Sequence, residues 1–218
     1  MKITYLGHAT FLLESGAHAL LIDPYNAQVG YPVPSVRVNT VLVSHDHGDH
    51  SNVEMAKGEP RVIRGLADGQ WRTVQEQVDG IAISSVPTYH DDVGGAKRGR
   101  NTVFVIEAEG LRVVYLADLG HLLSDADAGA IGRPDVLMIP VGGRYTIDAG
   151  QAHAVIAQLN PHVSIPIHYR TDVNPQSPLA TVEEFVAASS AAKHVGHSVT
   201  LDKGSVPAGS EVWIMTWK

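Results

Sequence analysis

Between positions 41 and 50 the chain reads Val41-Leu42-Val43-Ser44-His45-Asp46-His47-Gly48-Asp49-His50, and no other stretch constrains the fold as much. A run of β-branched and apolar residues reads as a strand that ends at Ser44, and four candidate ligands follow within six residues. In extended backbone His45 and His47 lie two apart and face the same side. Gly48 permits a tight turn that swings Asp49 and His50 back toward the same point. Imidazole and carboxylate together suit zinc, manganese or iron rather than calcium or magnesium. A surface loop that happens to be histidine-rich is the plainer alternative. It does not explain why the cluster sits directly after a buried-type strand.

Composition narrows the chemistry further. There is no cysteine, which excludes disulfides, thiolate zinc sites and a cysteine nucleophile together. Twelve histidines stand against three phenylalanines. A chain of 218 residues with 44% hydrophobic and 18% charged residues suits one globular domain, taken here as residues 1–218. No run of about 18 apolar residues appears, so no membrane-spanning helix is expected. Met1–Tyr5 enters a strand pattern at once, without a signal-like segment, and a cytoplasmic address is expected. The formal charge of −7 opposes nucleic acid at long range and favours a small-molecule substrate. A homo-oligomer is compatible with the sequence, which does not specify one.

Short apolar runs bounded by Gly, Pro, Asn or Asp predict strands at 2–5, 10–14, 19–22, 40–44, 81–86, 102–107, 112–116, 136–140, 163–167, 198–201 and 211–215. Ser15-Gly16 and Glu109-Gly110 predict hairpins. Helical spacing occupies Asp148–Leu159, with Asp148 as N-cap and Asn160-Pro161 as the stop. It recurs over Thr181–Ala192, where Thr181 and Glu184 form a capping-box pattern, and around Asp125–Ile131. One α/β domain follows.

The His-x-His-x-Asp-His segment resembles the hallmark of the metallo-β-lactamase-fold hydrolases, and four further motifs of that family occur in order. They are Leu21-Ile22-Asp23-Pro24, Thr88-Tyr89-His90, Leu116-Ala117-Asp118 and Ile165-Pro166-Ile167-His168. The resemblance implies an α/β fold, the four-layer αββα sandwich of that family. It implies that His45, His47 and His90 hold one divalent metal, that Asp49, His50 and His168 hold a second, and that Asp118 bridges them. Asp23 is expected either to orient the ligand loop through a hydrogen bond or simply to start the turn before Pro24. Two ions, with zinc placed before manganese or iron, would bring +4 against three negative charges from Asp49, Asp118 and a bridging hydroxide. Metal binding can bring the pKa of water from 15.7 to about 7.

Departures from the family pattern select a branch. Cysteine is missing where many antibiotic-hydrolysing members place a ligand, and His47 stands where the diiron flavin-linked members carry glutamate. Only 50 positions separate Asp118 from His168, and 50 follow His168, which leaves no room for the extra domains of nuclease or glyoxalase-type members. Gly7-His8-Ala9-Thr10, Arg98-Gly99-Arg100-Asn101-Thr102, Asp118-Leu119-Gly120-His121 and Pro140-Val141-Gly142-Gly143 resemble the metal-dependent hydrolase subgroup of UPF0173 type, which includes ascorbate-6-phosphate lactonase.

Around this set several roles stay open. His8 and His121 either line or support the site or bond a loop carbonyl. Lys97, Arg98 and Arg100 form either an anion clamp or a solvated loop. Asn101 either caps that loop or helps to polarise substrate. His18, His153, His162, His194 and His197 read as surface residues. The expected activity is hydrolysis of a small anionic ester, lactone or phosphodiester, with Asp49, His8 and Asp118 as the catalytic set. Phosphodiesterase or nuclease action on nucleic acid, and a non-catalytic metal-binding scaffold, are the alternatives.

Overall fold

Alternation along the strands decides how the layers stack. In His18–Ile22, Leu20 and Ile22 point one way and Leu21 the other; in Thr40–Val43, Leu42 opposes Val41 and Val43. In Leu111–Tyr115, Val113 and Tyr115 share the face of Leu20 and Leu42, while Val114 points away. Strands that are apolar on both faces must be covered on both, so two sheets stack and each needs an outer layer.

The computed structural model describes residues 1–189 and 191–218. A six-stranded sheet runs Ser198–Thr200, Lys2–Gly7, Thr10–Ser15, His18–Ile22, Thr40–Val43, Arg61–Arg64. An eight-stranded sheet runs Gln75–Val78, Ile81–Tyr89, Arg100–Ala108, Leu111–Tyr115, Val136–Pro140, Val163–Ile167, Glu211–Met215, Ala192–Gly196. Phe11, Leu20, Ile22 and Leu42 of the first meet Phe104, Ile106, Tyr115 and Ile165 of the second in the central core. Helices Asp125–Ile131, Ala149–Leu159 and Val182–Val186 cover the outer face of the eight-stranded sheet through Ile131, Val155, Leu159 and Phe185. The αββα order is thus present, with one outer layer thin: the six-stranded sheet is covered by Tyr25, Tyr31 and Met55 from loops and the 3-10 turns Ala27–Val29 and Val53–Met55.

Strand direction explains where the ligand segments end up. His18–Ile22 and Thr40–Val43 are parallel, and Lys2–Gly7, two antiparallel steps away, runs the same way. In the other sheet Leu111–Tyr115 and Val163–Ile167 run parallel through Val136–Pro140, and Ile81–Tyr89 shares their direction by the same two-step argument. The residues following these strands therefore gather along one edge of the sandwich.

Both hairpins form, pairing Ser15 with His18 and Ala108 with Leu111. The Asp148 cap is a full capping box with Gln151, and Asn160 ends that helix in the left-handed region. The helix expected over Thr181–Ala192 is only Val182–Val186. Thr181 makes no side-chain cap, and Ala192–Gly196 is taken by parallel pairing to Glu211–Met215. Residue 190 of that expected helix lies outside the described residues. His18 is a second correction: it is 6% exposed, with Nδ1 2.8 Å from Asp79 and Nε2 3.0 Å from Thr40. Next to the hairpin, its ring turns inward to bridge Thr40 of the neighbouring strand and the turn at Asp79 of the other sheet. His153, His162 and His197 are half-buried rather than on the surface, and His194 is exposed. For His153 and His162 the cause is a carbonyl partner, Phe185 and Pro207 respectively.

Candidate metal centre

The carboxylate of Asp118 is 2% exposed and faces four imidazoles. Nε2 of His90 is 3.0 Å away, that of His168 3.3 Å, that of His50 3.2 Å and that of His45 3.9 Å. On one side His45, His47 and His90 form a triangle with ring centroids 4.7–5.1 Å apart. On the other, His8, Asp49, His50 and His168 bring one ligand atom each to within 4.8 Å of one another. Asp118 touches members of both groups. His8, left open by the sequence, sits inside the second, with Nε2 3.2 Å from Asp49 Oδ2.

Local backbone shape aims these groups. His8, Asp23, Ala117 and His168 all have φ between 44° and 56°, the left-handed region that non-glycine residues occupy only when the surroundings enforce it. At His168 the enforcing contact is its N–H on the carbonyl of His8 (3.0 Å), which also ties the two sheets together.

Asp23 is fully buried and accepts four donors: the Ser44 N–H (2.7 Å), the Ser44 hydroxyl, His50 Nδ1–H (2.9 Å) and the Tyr115 hydroxyl (2.9 Å). This is far more than a turn aspartate needs. With its proton on Asp23, Ser44 Oγ accepts from His45 Nδ1–H at 2.8 Å. Both histidines are thereby fixed with Nε2 directed at the cluster, the orientation that metal-ligating imidazoles need. Asn101 performs a comparable task for Asp118. Its Oδ1 accepts the Asp118 N–H (3.2 Å), while its amide donates to Thr88 Oγ1 and the Leu116 carbonyl. His121 accepts the Tyr89 N–H (3.1 Å) and lies 2.8 Å from the Leu122 carbonyl, so it bonds loop backbone beside His90. Arg100 turns away, donating to the Gly69 carbonyl and stacking over Trp71 at 4.6 Å. Lys97 pairs with Asp92 on the exterior. Of the basic trio, Arg98 alone lines the cavity beside the cluster.

Electrostatics favour a cation here. Burial opposes the charge of Asp118, but His168, His50 and His90 outweigh it and hold the carboxyl well below the usual carboxylate range. Asp49 is low for a similar reason: burial is outweighed by His8 and His50. Burial depresses His45 and His47 and pushes His168 down to about 3, which keeps their nitrogens available as neutral donors. Burial also disfavours a charged His50, but Asp118 and Asp23 overcome it, so a cation at its Nε2 would displace a proton. His45 Nε2, His50 Nε2 and Asp118 Oδ1 are buried with no hydrogen-bond partner among the described residues. Leaving each so costs about 1–3 kcal/mol, a cost that a shared cation relieves. The donor set fits divalent metal binding.

Ser44 and Tyr115 are the site residues that sequence reasoning missed. Ser44 borders the histidine cluster but is an ordinary strand-end residue by type, and Tyr115 reaches Asp23 from 92 positions away. A cavity of about 290 Å3 opens from the cluster, lined by Tyr31, Tyr145, Tyr169, Arg170 and Asn174 among others. A larger groove, about 610 Å3, lies at the opposite end of the strands, where the Asp135 carboxylate already binds Lys203 and the Arg112 N–H.

Comparison with known proteins agrees with the geometry. The family model described as a beta-lactamase superfamily domain matches residues 2–168. A UPF0173 metal-dependent hydrolase of Archaeoglobus fulgidus is 34% identical, covering 78% of this chain and 84% of its own. A second, from Methanopyrus kandleri, is 31% identical with 78% and 85% covered. A crystal structure from Thermotoga maritima, of an inferred Zn-dependent hydrolase of the metallo-β-lactamase superfamily, superposes with a TM-score of 0.80 at 36% identity, over 98% of this chain and 97% of that one. The histidine and aspartate motifs all fall within the matched segment, and the chain belongs to the metallo-β-lactamase superfamily, among its UPF0173 metal-dependent hydrolases.

Proposed function

We propose that the protein hydrolyses a small anionic ester, lactone or phosphodiester with two divalent ions, zinc before manganese or iron. His45, His47 and His90 would hold one, Asp49, His50 and His168 the other, and Asp118 both. The observation that carries this reading is Asp118 itself, a buried carboxylate within 3.0–3.9 Å of four histidines drawn from the two groups. Such ions, when bound, make water nucleophilic at neutral pH and polarise the acceptor oxygen of the substrate.

The residues of the chain supply the rest. Asp23, Ser44 and Asn101 hold the ligands at fixed angles, so little reorganisation accompanies reaction. The Asp49 side chain, 35% exposed, is the carboxylate that meets the cavity. Its contact with His8 fixes which oxygen points there. Tyr31, Tyr145 and Tyr169 narrow the cavity to small-molecule dimensions.

Purified protein refilled with zinc or manganese should carry close to two ions per chain by elemental analysis. Chelation should abolish turnover of a panel of lactones, esters and bis-p-nitrophenyl phosphate. A protein that binds no metal after refilling, or turnover indifferent to chelation, would count decisively against the proposal.

A further inference from the structure

The loop from Asp91 to Gly99 is organised by a single side chain. Asp91 is 3% exposed, and its two oxygens accept four backbone N–H groups: Val93 at 3.0 Å and Gly95 at 2.7 Å on one, Lys97 at 2.8 Å and Arg98 at 2.7 Å on the other. A carboxylate so saturated fixes the path of the backbone from residue 93 to residue 98. The residue it delivers is Arg98, which lines a cavity of about 230 Å3 together with His47, Asp49, His90, Asp118 and His168.

The guanidinium of Arg98 is oriented but not neutralised. Its carbon lies 5.5 Å from the ring centroid of Tyr145, and Nη2 donates to the Arg144 carbonyl at 3.3 Å. Among the described residues no carboxylate pairs with it, and Nε and Nη1 find no acceptor. Among the neighbouring cations Lys97 pairs with Asp92, Arg64 with Asp46 and Arg100 with the Gly69 carbonyl, while Arg170 lines the larger cavity rather than this one. A half-buried guanidinium with donors to spare, beside a cluster suited to hold divalent cations, matches a two-oxygen anion in planar, bidentate geometry.

We propose that Arg98, anchored through the Asp91 loop and faced by Tyr145, is the specificity residue that receives a carboxylate or phosphate group of the substrate beside the bond being cleaved. The assignment rests on the hydrolase reading above. It distinguishes substrates by a group that does not react.

The test compares two esters of similar length on the zinc-loaded full chain, neutral p-nitrophenyl butyrate and the anionic mono-p-nitrophenyl succinate. Arg98→Met should lower kcat/KM for the succinate ester roughly 10–100-fold, the scale of a lost charge-assisted hydrogen bond, and leave the butyrate ester within about twofold. Arg98→Lys should restore part of the difference. Equal loss on both esters would make Arg98 a strap between loops and overturn the proposal, as would no loss on either. A second arm needs no catalysis: NMR titration of EDTA-treated protein with inorganic phosphate and with malonate. Arg98→Met should weaken at least one of them roughly tenfold or more. The anion affected tells phosphate from carboxylate, and equal binding of both by the two proteins overturns the proposal. If zinc-loaded wild type cleaves neither ester, that result counts against the hydrolase reading, and the anion titration alone decides the role of Arg98.

Discussion

At the scale of single residues, Asp23 has the most to do with how the candidate metal ligands are oriented, although it lies behind them. It holds His50 through Nδ1 and His45 through the Ser44 hydroxyl, and so governs the direction of two nitrogens at once. Asp23→Asn keeps the shape but substitutes an amide, with one acceptor and two donors, for a group that accepts four hydrogen bonds. Metal affinity should fall about 10–100-fold, read by competition with a chromogenic chelator, while far-ultraviolet circular dichroism stays native. Unchanged affinity would show that the ligand orientation is fixed elsewhere. The candidate ligands stand out in the sequence because their residue types are chemically loud: His45, His47, Asp49 and His50 crowd into six positions after a buried strand. The supports do not. Serine at a strand end and tyrosine in a strand carry no signal of their own, and only the fold brings Ser44, Tyr115 and Asp23 together.

At the scale of elements, the connections beside the site are more specified than loops usually are. Asp91 is the clearest case. Burial raises its carboxyl pKa, but the N–H groups of Arg98, Val93, Lys97 and Gly95 outweigh that and bring it to about 2. A depressed carboxyl contributes stability that is fully present above the unfolded value near 3.9 and is lost as pH falls toward about 2. The window for loosening this loop is thus pH 4 to 2, and at neutral pH the contribution is of order 2 kcal/mol. Asp91→Asn at pH 7 should speed amide exchange of Val93, Gly95, Lys97 and Arg98 by roughly tenfold or more, since the amide keeps one accepting oxygen and each buried N–H left without an acceptor costs about 1–3 kcal/mol. Exchange rates unchanged at those four amides would mean that the loop is held by other contacts. Gly120 is specified more sharply still. A Cβ there would lie 2.2 Å from the His90 carbonyl carbon, and the backbone it meets is that of a candidate ligand. Gly120→Ala should therefore displace His90 and reduce metal content to below two ions per chain, whereas full occupancy would show that the strand end can yield. This explains the glycine in one of the looser motifs as a packing requirement, and Gly142, whose Cβ would lie 2.1 Å from the His168 carbonyl oxygen, explains another. Core strands were read correctly because two buried faces leave long apolar runs. Arg61–Arg64, Gln75–Val78 and Ala192–Gly196 escaped because they are outer strands with partly exposed, largely polar sequences, held by backbone pairing that composition does not show.

At the scale of the molecule, the site joins two sheets that also meet through apolar contact, hydrogen bonds and ion pairs such as Arg61–Glu76 at 2.8 Å. His8, His45, His47, Asp49 and His50 follow strands of the six-stranded sheet, and His90, Asp118 and His168 follow strands of the eight-stranded one. That convergence across more than 120 positions of sequence is invisible to periodicity, and resemblance to a family was what anticipated it. It also has a mechanical consequence. Ions shared between the groups would cross-link the sheets, and ligands that bind only the folded state stabilise it by mass action. A free ion at 100 times its Kd contributes about 2.7 kcal/mol, and for a chain of this size each kcal/mol moves Tm by about 2–4 °C. Removing one such ion should thus lower Tm by roughly 5–10 °C, and removing two by up to twice that. Zinc or manganese should restore the original value, while magnesium, which prefers oxygen ligands and keeps its waters, should restore little. The variant Asp118→Asn separates cross-linking from binding at one group alone, because Asp118 is the carboxylate in contact with histidines from both sheets. Its Tm should gain much less from zinc than that of the wild type. If chelation leaves the wild-type Tm where it was, or if zinc raises the Tm of Asp118→Asn as far as that of the wild type, no ion bridges the sheets at Asp118 and the two halves of the sandwich are held by their core and by direct contacts such as His168 N–H to the His8 carbonyl and Arg61 to Glu76.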